Sequence, residues 1–266
     1  MRILEWETFI KEGLPVNNGF AAVTVGVFDG VHRGHRAIIE RVTRCGRQAL
    51  PVIVTFRKTQ KNSKPLYHGN ITGFKQKTAI FQNMGLAVTV AADLSDTFRR
   101  ISGEQFFNLL REHGKMGFLA VGSNFRCGHN LDTDAAAIEK MGAMKNIPVD
   151  IAEILTEEGS PISSSRIRKA INNGKLKEAA LMLGRNYVLD ISGANTPQLK
   201  SSNGDIIYDT SANECVIPPA GKYTVLLHEE NCGSKQINIE IKENLIQISA
   251  CLHPAASSNL QLEFIC

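Results

Sequence analysis

Apolar residues recur at two different periods along this chain. AAVTVGVF at 21–28 is a continuous apolar, β-branched run, as expected of a strand covered on both faces. The run breaks at Asp29-Gly30, and Ile38, Ile39 and Val42 then recur at helical spacing, so a turn followed by a helix is predicted. PVIVTF at 51–56 is a second buried strand. Strand, helix and strand over 21–56 make a βαβ unit, which predicts parallel pairing with a right-handed crossover. The alternation continues with a helix near 73–84, a strand AVTVAA at 87–92 and a helix through Glu104–Glu112. A strand GFLAVG at 117–122, a helix through Ala135–Met144 and a strand PVDIAEIL at 148–155 follow. This order predicts a doubly wound α/β domain that binds its ligand beyond the carboxyl ends of the strands, where the Asp29-Gly30 turn falls.

Helical character resumes at Ser163 in SSSRIRKAINNGKLKEAALMLG, is interrupted at Asn172–Gly174 and ends at Gly184. After Tyr187 the pattern changes. GKYTVLLH, QINIEIK, LIQISA and LQLEFI are short apolar runs separated by Asn, Gly, Pro and Ser, which predicts a small all-β, barrel-like domain. The expected division is an α/β domain over 1–187 and a β-rich domain over 188–266.

Composition narrows the function. With 43% hydrophobic residues among 266, the chain can bury a sizeable core. A net charge of +4 suits a polyanionic small molecule. It carries no basic patch interleaved with aromatics, so no nucleic-acid partner is expected. MRILEWETFIKEG bears Glu5, Glu7 and Glu12 and no long apolar run, so neither a secretory signal nor a membrane span is expected and the expected location is the cytoplasm. The six cysteines at 45, 127, 215, 232, 251 and 266 form no Cys-x-x-Cys pair and are read as reduced thiols.

The strongest chemical signal is VGVFDGVHRGHRAII. A glycine turn after a buried strand lets backbone approach a ligand, and the following helix aims its free N–H groups and positive dipole end at the same point. His32 and His35 stand three apart across Gly34, so both imidazoles can reach one anion and stabilise charge growing at a phosphorus under in-line attack. A zinc pair fits less well, because the spacing is not i, i+4 and no third ligand is placed nearby. PISSSRIRKAI at 161–171 adds hydroxyls at a helix start and the guanidinium forks of Arg166 and Arg168, a candidate clamp for phosphates. In AVGSNFRCGHN at 120–130, Asn124 is a candidate hydrogen-bonding partner for ribose or phosphate, and Phe125 a candidate surface under a ring.

FDGVHRGH, GSNFRCG and ISSSRIR occur in the order and approximate spacing of the adenylyltransferase module of prokaryotic FAD synthetases, the bifunctional riboflavin kinase/FMN adenylyltransferases, and residues 20–187 resemble that module. The resemblance implies a Rossmann-like nucleotidyltransferase fold, ATP with Mg²⁺, and FMN as the acceptor, giving FAD and pyrophosphate. It implies that His32 and His35 contact the ATP phosphates while Gly34 leaves the ligand room, and that Gly26, Phe28 and Asp29 shape the nucleotide pocket. Asn124 matches a family position held by Asn or Asp before Phe, and Ser164, Ser165, Arg166 and Arg168 fall on the triphosphate-binding loop. Metal ligands are left unassigned.

Two departures bear on the acceptor and the tail. The family continues its second strand as a Thr-Phe-Asp-Pro-His-Pro type loop, whereas this chain reads Thr55-Phe56-Arg57-Lys58-Thr59-Gln60. Phe56, Arg57 and Lys58, with Phe125, are therefore the candidate acceptor-binding residues, with Arg57 and Lys58 attracting a phosphate by charge. The family's Gly-Phe-Pro-Thr-Ala-Asn type kinase motif is missing from 188–266, so a barrel-like tail without riboflavin kinase activity is expected. Two alternatives remain open: transfer to another phosphorylated acceptor, and a non-catalytic flavin or nucleotide sensor. The intact histidine pair speaks against the sensor.

Overall fold

The structure, a computed structural model, describes residues 1–16, 18–57, 69–93, 95–192, 198–200, 205–229, 233–248 and 260–265. The chain packs as two compact units, Met1–Lys64 with Lys77–Pro161, and Pro65–Gln76 with Ile162–Cys266. In chain order the elements up to Pro161 are β1 (Arg2–Glu5), α1 (Trp6–Glu12), β2 (Phe20–Val25), α2 (Arg33–Thr43), β3 (Ala49–Phe56), α3 (Phe74–Asn83), β4 (Val88–Ala92), α4 (Asp96–Arg99), α5 (Gly103–Gly114), β5 (Met116–Gly122), β6 (Arg126–Cys127), β7 (Thr133–Asp134), α6 (Ala135–Met144), β8 (Val149–Ala152), β9 (Thr156–Glu157) and β10 (Ser160–Pro161).

Six strands form one parallel sheet in the order β1-β4-β3-β2-β5-β8. Succession runs outward from β2 through β3 to β4, then returns to the other side of β2 with β5 and β8. The order thus reverses between β2 and β5, and a doubly wound sheet opens a ligand crevice at such a point. Both faces of the sheet are covered, which is why its strands read as unbroken apolar runs. Ala21, Val23 and Val25 enter one core with Trp6, Phe9, Phe107 and Leu110, while Ala22 enters the other with Ile39, Ile53 and Phe81. β8 is shorter than the predicted 148–155, because β5 offers partners only to Val149–Ala152. The sheet's outer strand β1 and the helix α1 have no counterpart in the sequence prediction. In β1 only Leu4 is buried, so no periodic signal marks it.

The second unit adds α7 (Ser164–Asn172), α8 (Leu176–Leu183), β11 (Val188–Asp190), β12 (Gln198–Lys200), β13 (Ile206–Asp209), β14 (Gly221–Glu229), β15 (Gly233–Lys242), β16 (Leu245–Ile248) and β17 (Leu260–Phe264). Its strands make an antiparallel sheet in the order β11-β17-β14-β15-β16-β13-β12. The two ends of that order are distinct strands, so among the described residues the sheet is a half-barrel. α8 ends at Gly184 in the left-handed conformation, φ 71°, as its position after the last periodic residue predicts.

The packing division differs from the expected boundary between 187 and 188. Ile167, Ile171, Leu176 and Leu183 share one core with Leu227, Ile246 and Leu262. A change of secondary-structure period marks where helix gives way to strand, and these two helices bury their apolar stripes against the sheet that follows. Among the described cysteines, Cys45, Cys127 and Cys215 are unlinked thiols. Burial, with Asp132 beside it, pushes the Cys127 thiol up to about 12, so it stays protonated at neutral pH.

Candidate active site

β2 delivers the chain into a turn that no regular backbone could make. Phe28, Gly30 and Val31 all have positive φ, at 51°, 81° and 40°. Such a value is costly for the β-branched Val31 and persists only where surroundings enforce it. Here packing enforces it: Phe28 and Val31 are buried in one core, and the Phe28 ring meets Phe81 edge-on at 6.0 Å. Gly26 makes room for that ring, since a Cβ there would lie 3.1 Å from it.

His32 is the N-cap of α2. Its Nδ1 accepts the backbone N–H of His35 at 3.3 Å, satisfying one orphan donor of the first turn. Accepting through Nδ1 leaves the proton of a neutral His32 on Nε2. The two imidazoles stack, with centroids 3.5 Å apart and planes 19° from parallel, and Phe28 closes over His35 edge-on at 5.1 Å. Gly34 permits this, because a side chain there would stand 3.3 Å from the His32 ring. Burial, then the neighbouring His32 and Lys77, hold the His35 pKa well below its usual value, so it is neutral at pH 7. Its Nδ1 is buried and has no hydrogen-bond partner among the described residues. The arrangement therefore places two stacked imidazoles, of which His35 is neutral, at a helix N-terminus, at the point where the sheet order reverses. A helix N-terminus flanked by imidazoles can receive a phosphate.

Beneath the turn lies Lys77 of α3, which is 4% exposed. Its ammonium donates to the Val27 carbonyl at 3.0 Å, to Thr55 Oγ1 at 3.1 Å and to the Phe56 carbonyl at 3.0 Å. Thr55 Oγ1 in turn donates to the Val27 carbonyl at 3.1 Å. Burial lowers the Lys77 pKa from 10.5 to about 8, against the pull of the Asp29 carboxylate, which is itself buried. Sequence reasoning missed Lys77. The available signal was a lone lysine one helical turn before the buried Phe81, on the apolar side of α3.

The other sequence-predicted residues are placed as follows. Asn124 is exposed just beyond β5, the strand across the reversal from β2, in a turn closed by the Phe125 N–H on the Gly122 carbonyl at 2.9 Å. That turn abuts α2, since a Cβ on Gly122 would lie 3.4 Å from Ile38. Phe125 packs partly into the core rather than presenting a bare ring, and Phe56 does the same, edge-on to Phe98 at 5.8 Å. Arg57 pairs with Glu5, and Lys58 lies outside the described residues. Ser163 caps α7 by accepting the Arg166 N–H at 3.2 Å. Ser164, Arg166 and Arg168 are half-buried and Ser165 is exposed on that helix, which belongs to the second unit. The first unit thus brings together Gly26, Phe28, Asp29, His32, Gly34 and His35, with Asn124 on the neighbouring strand end. Arg33 ties the start of α2 to Glu157, and Arg41 ties its last turn to Asp150.

Among the described residues no three His, Cys, Asp or Glu side chains converge.

Known proteins resemble this chain in sequence and in fold. A bifunctional riboflavin kinase/FMN adenylyltransferase from Escherichia coli K12 is 27% identical over 211 residues, spanning 76% of this chain and 66% of the relative. The protein of that name from Bacillus subtilis is 25% identical over 223 residues, 77% of this chain and 66% of its own length. The match thus spans just under two thirds of either relative. A crystal structure of a macrolide-efflux protein from Streptococcus pneumoniae shares the fold, with a TM-score of 0.81 at 18% identity, over 99% of this chain and 90% of that one. The family model described as FAD synthetase matches residues 15–166, more than half of the chain, and contains the strand, the strained turn and the histidine-capped helix described above. On that match the chain belongs to the FAD synthetase family.

Proposed function

We propose that this protein is an FMN adenylyltransferase, using ATP as its Mg²⁺ complex and FMN to make FAD and pyrophosphate. The observation that carries this reading is the stacked His32–His35 pair at the N-terminus of α2, set where the sheet order reverses. A phosphate oxygen of FMN attacks the α-phosphorus of ATP. The new P–O bond forms as the bond from the α-phosphorus to the bridging oxygen breaks, and pyrophosphate leaves with the electron pair. The imidazoles donate to oxygens on which charge grows, and the helix N–H groups hold the anion in place. The sequence resemblance further implies phosphate contacts from Ser164, Ser165, Arg166 and Arg168, and in this reading Asn124 supplies a polar contact to the nucleotide. Attack is direct, without a covalent enzyme intermediate.

A second reading keeps the chemistry and changes the acceptor. It is favoured by the departure of Arg57-Lys58 from the loop that the sequence resemblance implies, and by the Arg57–Glu5 pair at that point. Pyrophosphate release from ATP and Mg²⁺ with FMN, reduced FMN and other phosphorylated acceptors, with products identified by mass, separates the two. FAD formation supports the first; turnover with another acceptor alone supports the second. Binding without turnover defeats both in favour of a sensor. We further propose that residues 188–266 supply no riboflavin kinase activity and that the protein works in the cytoplasm. Conversion of riboflavin to FMN by the purified protein would contradict the first of these, and fractionation of cells tests the second.

A further inference from the structure

A buried lysine directed at backbone is unusual, because an ammonium gives up strong hydration and needs every N–H satisfied in return. Lys77 meets that need with three acceptors drawn from two strand ends: the Val27 carbonyl in the turn after β2, and Thr55 Oγ1 and the Phe56 carbonyl at the end of β3. With its three N–H groups so directed, Lys77 is not arranged as a phosphate ligand. Thr55 completes a closed ring by donating to the same Val27 carbonyl. Val27 lies between Gly26 and Phe28, at the entrance to the stretch whose positive φ values carry the chain to His32. The charge of Lys77 is felt at His35, and the Asp29 carboxylate in that same turn is felt at Lys77.

We propose that Lys77 is a positioning residue for the histidine pair, pegging the turn after β2 to the end of β3 so that His32 and His35 are held stacked before nucleotide arrives. This assigns a role to a residue of α3 outside the three sequence motifs, and its kinetic part rests on the adenylyltransferase reading. Without the peg the strained turn relaxes, the imidazoles lose their register with the α-phosphorus, and His35 loses the positive neighbour that disfavours its proton. A loss of orientation of this kind lowers turnover more than ground-state binding.

The test uses Lys77→Met, which keeps the length and removes the charge, and Thr55→Val, which keeps the shape and removes one acceptor and one donor. Steady-state kinetics of FAD formation are measured beside histidine side-chain NMR titrations of the full chain without nucleotide. For Lys77→Met the expected result is a fall in kcat of about 100-fold with KM for ATP changed less than about threefold, in the range of one misplaced transition-state donor. Thr55→Val is expected to lose roughly fivefold in kcat, as one net hydrogen bond of the ring is worth about a factor of ten or less. In both variants the His35 resonances shift, and in Lys77→Met its titration moves up toward the ordinary histidine range. A rise in KM with kcat unchanged would make Lys77 a substrate ligand and overturn the proposal, as would unchanged kcat together with unchanged His35 titration. If Lys77→Met does not fold, Thr55→Val decides by the same readouts. If the wild type makes no FAD, the adenylyltransferase reading fails, and the His35 titration and resonance shifts alone decide the positioning role.

Discussion

Burying a charged lysine should leave a signature in how stability depends on pH. The perturbation is Lys77→Met, and the quantity is the difference in unfolding free energy between wild type and variant as pH rises. In the native protein Lys77 gives up its proton near about 8, whereas an unburied lysine holds it to 10.5. Between those values the unfolded chain binds more protons than the native one, so wild-type stability rises with pH through the window. The cost of the buried charge is fully present below about pH 8 and is relieved as pH approaches 10.5. At ~1.4 kcal/mol per pKa unit, the drop corresponds to about 3 kcal/mol in all, of which about 2.5 kcal/mol is recovered between pH ~7 and pH ~10. Methionine does not titrate, titrations that do not sense Lys77 cancel in the difference, and the His35 titration, which does sense it, moves toward an ordinary value that lies below this window. Trp6 is the single tryptophan and is buried in the core of the first unit, so denaturant titrations followed by its fluorescence report on the unit that holds Lys77. Wild type should gain about 2.5 kcal/mol on the variant between pH ~7 and pH ~10. A difference that stays flat to within about 0.5 kcal/mol would show that Lys77 releases its proton no earlier when folded than when unfolded, and the burial argument would fall.

Three further outcomes follow from the geometry. His32→Ala and His35→Ala should each lower kcat for adenylyl transfer by roughly 100-fold with little change in KM for ATP, as for one lost oxyanion donor; near-normal turnover in either variant refutes its role. Gly34→Ala should hold or raise thermal stability, because alanine gains up to ~1 kcal/mol over glycine in a helix. Its Cβ crowds the His32 ring at 3.3 Å, so kcat should fall, and a variant that is both as stable and as active would show the ring has slack. Burial works to raise the Glu263 pKa, but the hydrogen bonds from Asn186 at 2.8 Å and His228 at 2.7 Å outweigh it and leave the carboxyl below its usual 4.5. Its contribution is therefore present above about pH 4.5 and is lost as pH falls through the lowered value, so wild type and Glu263→Gln should differ in melting temperature at pH ~6 and converge in acid.

Some of this protein was legible in its sequence, for identifiable reasons. The strands of the parallel sheet announce themselves because both faces are covered, so every position from Ala21 to Val25 is buried. The turn is legible because Asp29-Gly30 interrupts such a run just before a helix whose cap is itself a histidine. β1 was hidden because a short strand with one buried side chain has no period to detect. Phe125 and Phe56 show the limit of reading a ring as a ligand platform: each packs at least partly into the core beside its strand. The hydroxyl that caps α7 belongs to Ser163, one residue before the pair assigned to phosphate, because the N-cap accepts from the residue three places on.

Lys77 was illegible for a different reason. A motif is written in neighbouring residues, whereas the acceptors of this ammonium come from positions 27, 55 and 56 and meet only when β2 and β3 pair with α3 above them. The consequence reaches the chemistry. Two imidazoles stacked at 3.5 Å beside a helix N-terminus and within the field of a buried ammonium strongly disfavour two protons of their own. In the proposed reaction a neutral His35 would meet the triphosphate as a hydrogen-bond donor, and the negative charge of the phosphates is what would draw a proton onto it as the α-phosphorus reacts.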